Sequence, residues 1–574
     1  MFEKDFERAA FQEETEVQEF VIQTEEAEET VRVIVKDLLS GSRPLSERQY
    51  TLVLIFIRDH LENIPDIVSK NTCVRLLIDT KNLSLADSLN LSDVMKIVDE
   101  LNYRYYHNDN PKKLNFKNQD RKFLTALLDR MFRGDRCDIR TCYEKKKLWN
   151  GFLHHIHYQP KNEEAEIFVH AMRTKGNESV YSEFEKLMQE NRYQQAAELL
   201  REKKGTSALL RNMDYIISRM DREDEQTFLS EFPEDCSTLI LLQLLFRYEG
   251  VQRKDGRIFK FTQHNLMKVH YETPEESKKC QSRLTEEQVK EVGKMIRSKL
   301  SEKLRNRLGK VYIEPSMKNY TLPLAENTSQ GGFGVLSKGS RIPIEEGKKL
   351  RAFTYWEKVN DIDLSVFALT EDGNRREFSW RTMSRHQSGA ITYSGDETSG
   401  YLGGSEYFDI NLSEFKARYS EYRYLIFCDN VYSGKNFNEC FCKAGYMLRD
   451  WDDSGQVYEP KTVKSAYLVN CESTFAYLFG IDFFTNEFVW LNVAKNSKSR
   501  VAGDTNLSFL TDYFHLTDVM NMYDFFSMMA EKIVEDPMEA DVVVTDHEVK
   551  CTEEAQIIRE YDFEKIQMLM EDAK

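Results

Sequence analysis

The sequence predicts a multidomain protein: an all-α N-terminal domain, a small α+β middle domain, and a C-terminal all-β sandwich followed by a helical tail. Three observations predict it. The 574-residue length exceeds the roughly 100–200 residues of one domain. Apolar residues recur at helical spacing up to about residue 245. From Leu350 to Ala494 the texture changes to short aromatic and β-branched stretches broken by turn residues about every 8 to 15 positions. The boundaries that follow are 1–245, 246–335, 336–500 and 501–574.

The first 30 residues carry eleven acidic and two basic side chains, which reads as an acidic, solvated helix. SERQYTLVLIFIRDHLENI opens with an N-cap candidate, Ser46, and keeps one broad apolar face. The same periodicity marks 121–133, 143–157, 163–173, 180–190 and 193–202. ENRYQQAAELLREKKGTSALLRNMDYIISR predicts a helix pair turning at Gly205. In the middle domain a DG turn precedes IFKFTQ, and Thr285 with Gln288 forms a capping-box pattern. That cap opens a helix with the stripe Val289, Val292, Ile296, Leu300 and Leu304, ended at Gly309. GKVYIEP and YTLPL read as strands, ENTSQGGFGVLSKGS as a loop. FFTNEFVW predicts a hairpin around Thr485, Asn486 and Glu487. SFLTDYF, MYDFFSMMAEKIV and IIREYDFEKIQMLM read as tail helices.

Charged residues make up 30% and hydrophobic ones 41%, a composition that can bury real cores. The formal charge of −17 disfavours a whole-molecule nucleic-acid binder, because that affinity rests on neutralising phosphates. No secretory signal is visible and no apolar run approaches the roughly 20 residues of a membrane span, so a cytoplasmic protein is expected. Ten cysteines show no CxxC pair and read as reduced thiols; Cys440 and Cys442 share one strand face as packing residues.

The segments NDIDLSVFAL, YSGDETSG, SEYFDINL and FCDNVYSGKNFNE resemble, in order and separation, the TerD family of tellurium-resistance and stress proteins. Asp363 falls on the DLD-type strand of that family, Ser394, Gly395 and Asp396 on its SGD loop, Glu406 on the last acid of its GDDE stretch, and Asp429 with Asn436 and Phe437 on its final motif. The resemblance implies a β-sandwich that binds calcium through loop carboxylates, with Asp361, Asp363, Asp396, Glu397, Glu406 and Asp429 as ligands. Ca2+ takes six to eight hard oxygen ligands at ~2.4 Å, which suits such a set. Three positions depart: the acidic pair before Glu406 is Gly404 and Ser405, and Glu397 replaces the usual Asn. RIPIEEGKKLRAFTYW, LLRNMDYIIS and GKVYIEP extend the likeness to long bacterial proteins that contain this domain. The resemblance implies a non-enzymatic binding or scaffold protein of stress or chemical defence, with protein partners and an inner membrane face as an open location.

Other constellations carry less. Asp450, Asp452, Ser454 and Gly455 imitate the start of an EF-hand loop, but Lys461 stands where the bidentate Glu belongs. His154 and His157 could share a helix face, with no acid or cysteine nearby to complete a site. GGFGVLSKGS lacks the order of a phosphate cradle. The helix from Lys290 to Lys310 has eight basic residues against Glu291 and Glu302, read as a solvated face or as a dock for the acidic N-terminus. Two alternatives stay open: a metal-free protein-interaction module, and a nucleic-acid-related hydrolase for which no catalytic constellation appears.

Overall fold

The computed structural model describes residues 24–571 apart from 42–44, 46, 61–63, 109, 111, 134–138, 175–178, 253–256, 264–265, 280–283, 325–333, 346–347, 384–388, 433–435, 451–456, 470, 472 and 495–506. The N-terminal acidic stretch before Thr24, the Ser46 cap, the DG turn, most of the glycine-rich loop and the EF-hand-like segment lie outside the described residues.

The chain divides into two compact units, Met1–Cys137 with His154–Ala165, and Asp138–Leu153 with Glu166–Lys574. The division falls inside the segment read as one helical domain. In the first unit, helices Thr24–Ser40, Glu47–Asp59, Lys70–Thr80, Val94–Tyr106 and Asn118–Met131 bury Val53, Leu76, Leu77, Ile97 and Leu124. Ser69 caps the third of these by accepting the Thr72 N–H at 3.3 Å.

The second unit begins with short helices that include Glu166 to Arg173 of the helix Glu163–Arg173, then Val180–Gln189, Tyr193–Lys204 and Thr238–Glu249. A hairpin follows, β1 (Ile258–Gln263) with β2 (Leu266–Tyr271). The capping box forms as predicted: Gln288 N–H donates to Thr285 Oγ1 at 3.2 Å and Thr285 N–H to Gln288 Oε1 at 2.9 Å. It opens helix Glu286–Leu304, whose Val292, Ile296, Leu300 and Leu304 are fully buried. Gly309 does not end that helix. The turn is made at Asn306, with φ 57°, and Gly309 lies inside β3 (Leu308–Ile313), where a Cβ would sit 2.4 Å from Asp541 Oδ2. YTLPL forms no strand; Thr321 makes a single bridge to Asn521.

The sandwich comprises β4 (Arg341–Pro343), β5 (Lys349–Glu357), β6 (Ile362–Leu369), β7 (Arg375–Phe378), β8 (Ile391–Tyr393), β9 (Gly404–Ile410), β10 (Tyr424–Val431), β11 (Phe441–Arg449), β12 (Val463–Leu468), β13 (Phe475–Asp482) and β14 (Glu487–Ala494). One sheet runs β4-β14-β13-β10-β6-β7 and the other β12-β11-β5-β9-β8, every pairing antiparallel. Leu350 and Phe408 from one sheet and Val366, Phe427 and Trp490 from the other share one core. The predicted hairpin joins β13 to β14 through Phe483–Asn486, with Asn486 at φ 55°.

The outer face of the larger sheet is also covered. Phe367, Ile426, Tyr477 and Leu491 pack against Phe509 and Phe514 of the following segment, and Val269 and Tyr271 of β2 join them. All eight residues of β13 are buried. A strand buried on both faces reads as a continuous apolar run, and FAYLFGID has that texture.

The tail departs from the all-helical expectation. Helix Met522–Met529 stops at Ala530, and AEKI becomes β15 (Ala530–Ile533), followed by β16 (Val542–Val544) and β17 (Gln556–Ile558). These pair in the all-parallel order β15-β3-β16-β17. Val311 of β3, Val544 of β16, Ile296 and Leu242 and Ile216 of the preceding helices lie in one cluster. The middle segment, the tail and the preceding helices therefore share a core, and the expected boundaries at 245/246 and 500/501 do not separate cores. Phe514 is fully buried with its ring 4.5 Å from that of Tyr424. Phe514→Ala is expected to cost about 3–5 kcal/mol, read as a lowered urea midpoint of the transition that exposes the sandwich.

Candidate functional site

Four strand ends converge at one end of the sandwich: the last residues of β5 and β10 and the first of β6 and β9. Asp361 precedes β6, and its carbonyl accepts the Tyr432 N–H at 3.2 Å just beyond β10. Asp363 sits in β6 opposite Asn430, whose Nδ2 donates to Asp363 Oδ2 at 3.4 Å. Asp396 follows Gly395, whose φ of 95° suits a residue without Cβ and turns the chain back. Ligand oxygens of Asp361, Asp363 and Asp396 lie within 4.8 Å of one another, with Asp361 and Asp363 half-buried and Asp396 exposed. Among the described residues this is the one group of three or more side chains so placed to hold a metal ion.

The other three predicted ligands are placed differently. Glu406 is fully buried on β9. Its Oε2 accepts the Leu364 N–H of β6 at 2.8 Å and its Oε1 the Glu397 N–H at 3.0 Å. Glu397 turns its own carboxylate back to the Ser399 N–H at 2.8 Å. Asp429 is fully buried behind the group; Thr354 Oγ1 donates to its Oδ2 at 2.7 Å, and the Cys442 thiol lies 3.8 Å from that oxygen. Among the described residues, none donates a hydrogen bond to Asp361 Oδ1 or Asp429 Oδ1, both shut from solvent.

The electrostatics follow from this geometry. Burial, then the charges of Asp363, Asp396 and Glu397, pushes the Asp361 carboxyl up to about 6. Burial and Asp396 raise Asp363 against the opposing Asn430 hydrogen bond. Burial pushes Asp429 up to about 8 despite the Thr354 hydrogen bond. Burial also holds Glu406 well above the usual carboxylate range, though two backbone N–H groups favour its charged form. Tyr393, stacked on Phe408 at 4.9 Å, is raised by burial and by the Glu406 charge.

The substituted positions have packing reasons. A Cβ on Gly404 would lie 2.5 Å from the buried Trp356 indole, so no acidic side chain fits there without displacing it. Ser405 Oγ donates to the Thr354 carbonyl at 2.7 Å. Thr354 and Asn430 orient two of the carboxylates and were not singled out by sequence reading. Their signal lies in their positions: Thr354 pairs with Glu406 across β5 and β9, and Asn430 with Asp363 across β10 and β6.

The remaining constellations resolve into structure. His154 and His157 rings stand 6.2 Å apart, and His155 Nε2 accepts the Phe116 N–H at 3.2 Å. On the basic helix Arg297 pairs with Glu249 and donates to the Val519 carbonyl at 2.8 Å. Lys303 donates to the Cys236 carbonyl at 2.7 Å, and Arg307 to those of Leu569 and Glu571 at 3.3 and 3.0 Å. These cations brace the α/β core. Cys442 is buried and Cys440 half-buried, both against the sandwich core, where the Cys442 thiol is held well above its ordinary range by burial.

All the donors at the mouth are carboxylate oxygens, and two buried oxygens lack partners, so the residues present fit a hard dication such as Ca2+. No protein-family model matches the chain, nor does any curated protein or solved structure.

Asp429 generates a pH prediction. Its native carboxyl binds a proton up to about pH 8, whereas the unfolded one releases it near 3.8. Its contribution is therefore fully present below the unfolded value and lost as pH rises toward 8. Without divalent cations the thermal midpoint is expected to fall between pH 6 and about 8, and Asp429→Asn to flatten that slope. Scanning calorimetry across this range checks it; an equally steep slope in the variant would remove Asp429 as its source.

Proposed function

We propose that this chain is a non-enzymatic, cytoplasmic binding and scaffold protein of a bacterial stress response, whose β-sandwich is TerD-like and takes up Ca2+. The observation that carries the reading is the convergence of Asp361, Asp363 and Asp396 within 4.8 Å. Three like charges held that close, two of them half-buried, repel one another unless a cation or protons neutralise them. These three would hold the ion, with the Asp429 carboxyl enclosed behind them. Glu406 fixes the loop that carries Asp396 and contributes positioning instead of ligation. The bound dication supplies charge neutralisation and rigidity to loops 358–361 and 395–403, and the ordered loops present a surface to a partner.

A metal-free interaction module is the second reading. It is favoured by the packing roles of Gly404 and Ser405, which leave fewer carboxylates than the TerD pattern has. Protein partners are part of both readings.

Calorimetric titration of the full chain with CaCl2 separates them. Saturable heat is expected from the native protein and none from Asp396→Ala. Glu406→Gln, which keeps one acceptor oxygen, is expected to weaken affinity by about tenfold through loop disorder, since a site's supporting contacts typically contribute on that scale. Silence of the native chain at millimolar Ca2+ would select the metal-free module.

A further inference from the structure

Three large apolar side chains stand exposed at the end of the sandwich that carries the acidic mouth. Leu402 is 92% exposed, Tyr432 64% and Tyr401 52%. Their backbones hang from the loop that leads into the carboxylates. Gly400 N–H donates to the Asn360 carbonyl at 2.7 Å, Lys358 N–H to that of Tyr401 at 2.9 Å, and Tyr432 N–H to that of Asp361 at 3.2 Å. The chain that begins at Asp396 ends in the turn Gly400–Leu402.

This presentation is built tightly. The Gly400 Cβ position lies 2.5 Å from the Trp356 indole nitrogen, and Gly403 holds φ 141°, so the turn seats on the core and holds Leu402 outward. An apolar tip fixed in place loses little conformational entropy when it enters another phase.

We propose that this end of the sandwich is a calcium-dependent docking surface for an anionic phospholipid bilayer, a step that rests on the calcium reading above. Charge decides the partner. The chain carries −17 overall, and its mouth presents three carboxylates, so without a cation it is repelled by an anionic headgroup. Ca2+ takes six to eight oxygens, and three carboxylates leave positions for lipid phosphate oxygens, which makes the ion a bridge. Leu402 then enters the boundary between headgroups and acyl chains, while the two tyrosines lie at headgroup depth, where amphipathic rings are favoured. Three apolar tips around one ion suit a lipid surface better than a stable protein interface, which buries about 800 Å² on each partner.

The test sediments the full-length protein with vesicles of phosphatidylcholine containing phosphatidylserine, in calcium or in EGTA, beside a lipid-free calorimetric calcium titration. Pelleting is expected only with phosphatidylserine and calcium together. Leu402→Asp is expected to weaken vesicle affinity by about tenfold or more while its calcium titration stays unchanged. Pelleting that persists in EGTA, equal pelleting on pure phosphatidylcholine, or indifference to Leu402→Asp overturns the proposal. Saturable calcium heat with no pelleting overturns lipid docking alone; absence of calcium heat overturns both it and the calcium reading.

Discussion

The arrangement at the mouth of the sandwich depends on one buried carboxylate. Glu406 spans from β9 in one sheet to the Leu364 N–H in the other and to the Glu397 N–H in the loop between β8 and β9. A backbone N–H shut from water must find an acceptor, and an ionised carboxylate is among the strongest available. One side chain thereby sets the spacing of the sheets at this end and the position of the loop that carries Asp396. Burial of the carboxyl opposes that charge and outweighs the two N–H groups that favour it. The neighbouring Thr354 hydroxyl does for Asp429 what the backbone does for Glu406, but with one bond instead of two.

From that frame the rest of the mouth follows as a gradient of burial. Asp396 stands in solvent, Asp361 and Asp363 are half-buried, and Asp429 is enclosed. Burial pushes the Asp361 carboxyl up to about 6 and the enclosed Asp429 carboxyl up to about 8. A fold that only needed packing at Asp429 would be served by an apolar residue, since an unneutralised buried carboxyl costs stability. A cation bound at the acidic mouth would offset that cost.

Much of this was legible in the sequence, for identifiable reasons. Capping at Thr285 and Gln288 depends on two residues three apart, and the stripe of helix Glu286–Leu304 on its own periodicity, so neither needed tertiary information. The six- to nine-residue sandwich strands β5, β6 and β9 to β14 were legible because they are long and aromatic, whereas β4, β7 and β8, of three or four residues, were not, and the Asn486 turn was legible because few residues other than glycine tolerate its positive φ. The tail was misread because β15, β16 and β17 are three or four residues each, too short to show alternation. The partner of β15 and β16, β3, lies far upstream, beyond the reach of any local pattern. At the site, residue types pointed to one end of the sandwich but not to roles: Glu397, Glu406 and Asp429 differ from the converging trio in the hydrogen bonds that meet them, and Glu406 and Asp429 also in being fully buried.

The parallel sheet also determines what can be cut from this protein. β3 precedes the sandwich and β15 to β17 follow it, so the eleven strands from β4 to β14 are enclosed in sequence between pieces of one α/β core. The segment after them, with Phe509 and Phe514, and β2 before them cover the outer face of the six-stranded sheet. An isolated sandwich would expose Phe367, Ile426, Tyr477 and Leu491 together, an apolar patch of the kind that drives aggregation. It would also lose the restraint on β6 and β10, the two strands that carry Asp363 and Asp429. The mouth is thus the rim of a sheet clamped on both faces, and its geometry is a property of the whole second unit, not of the strands that supply its carboxylates.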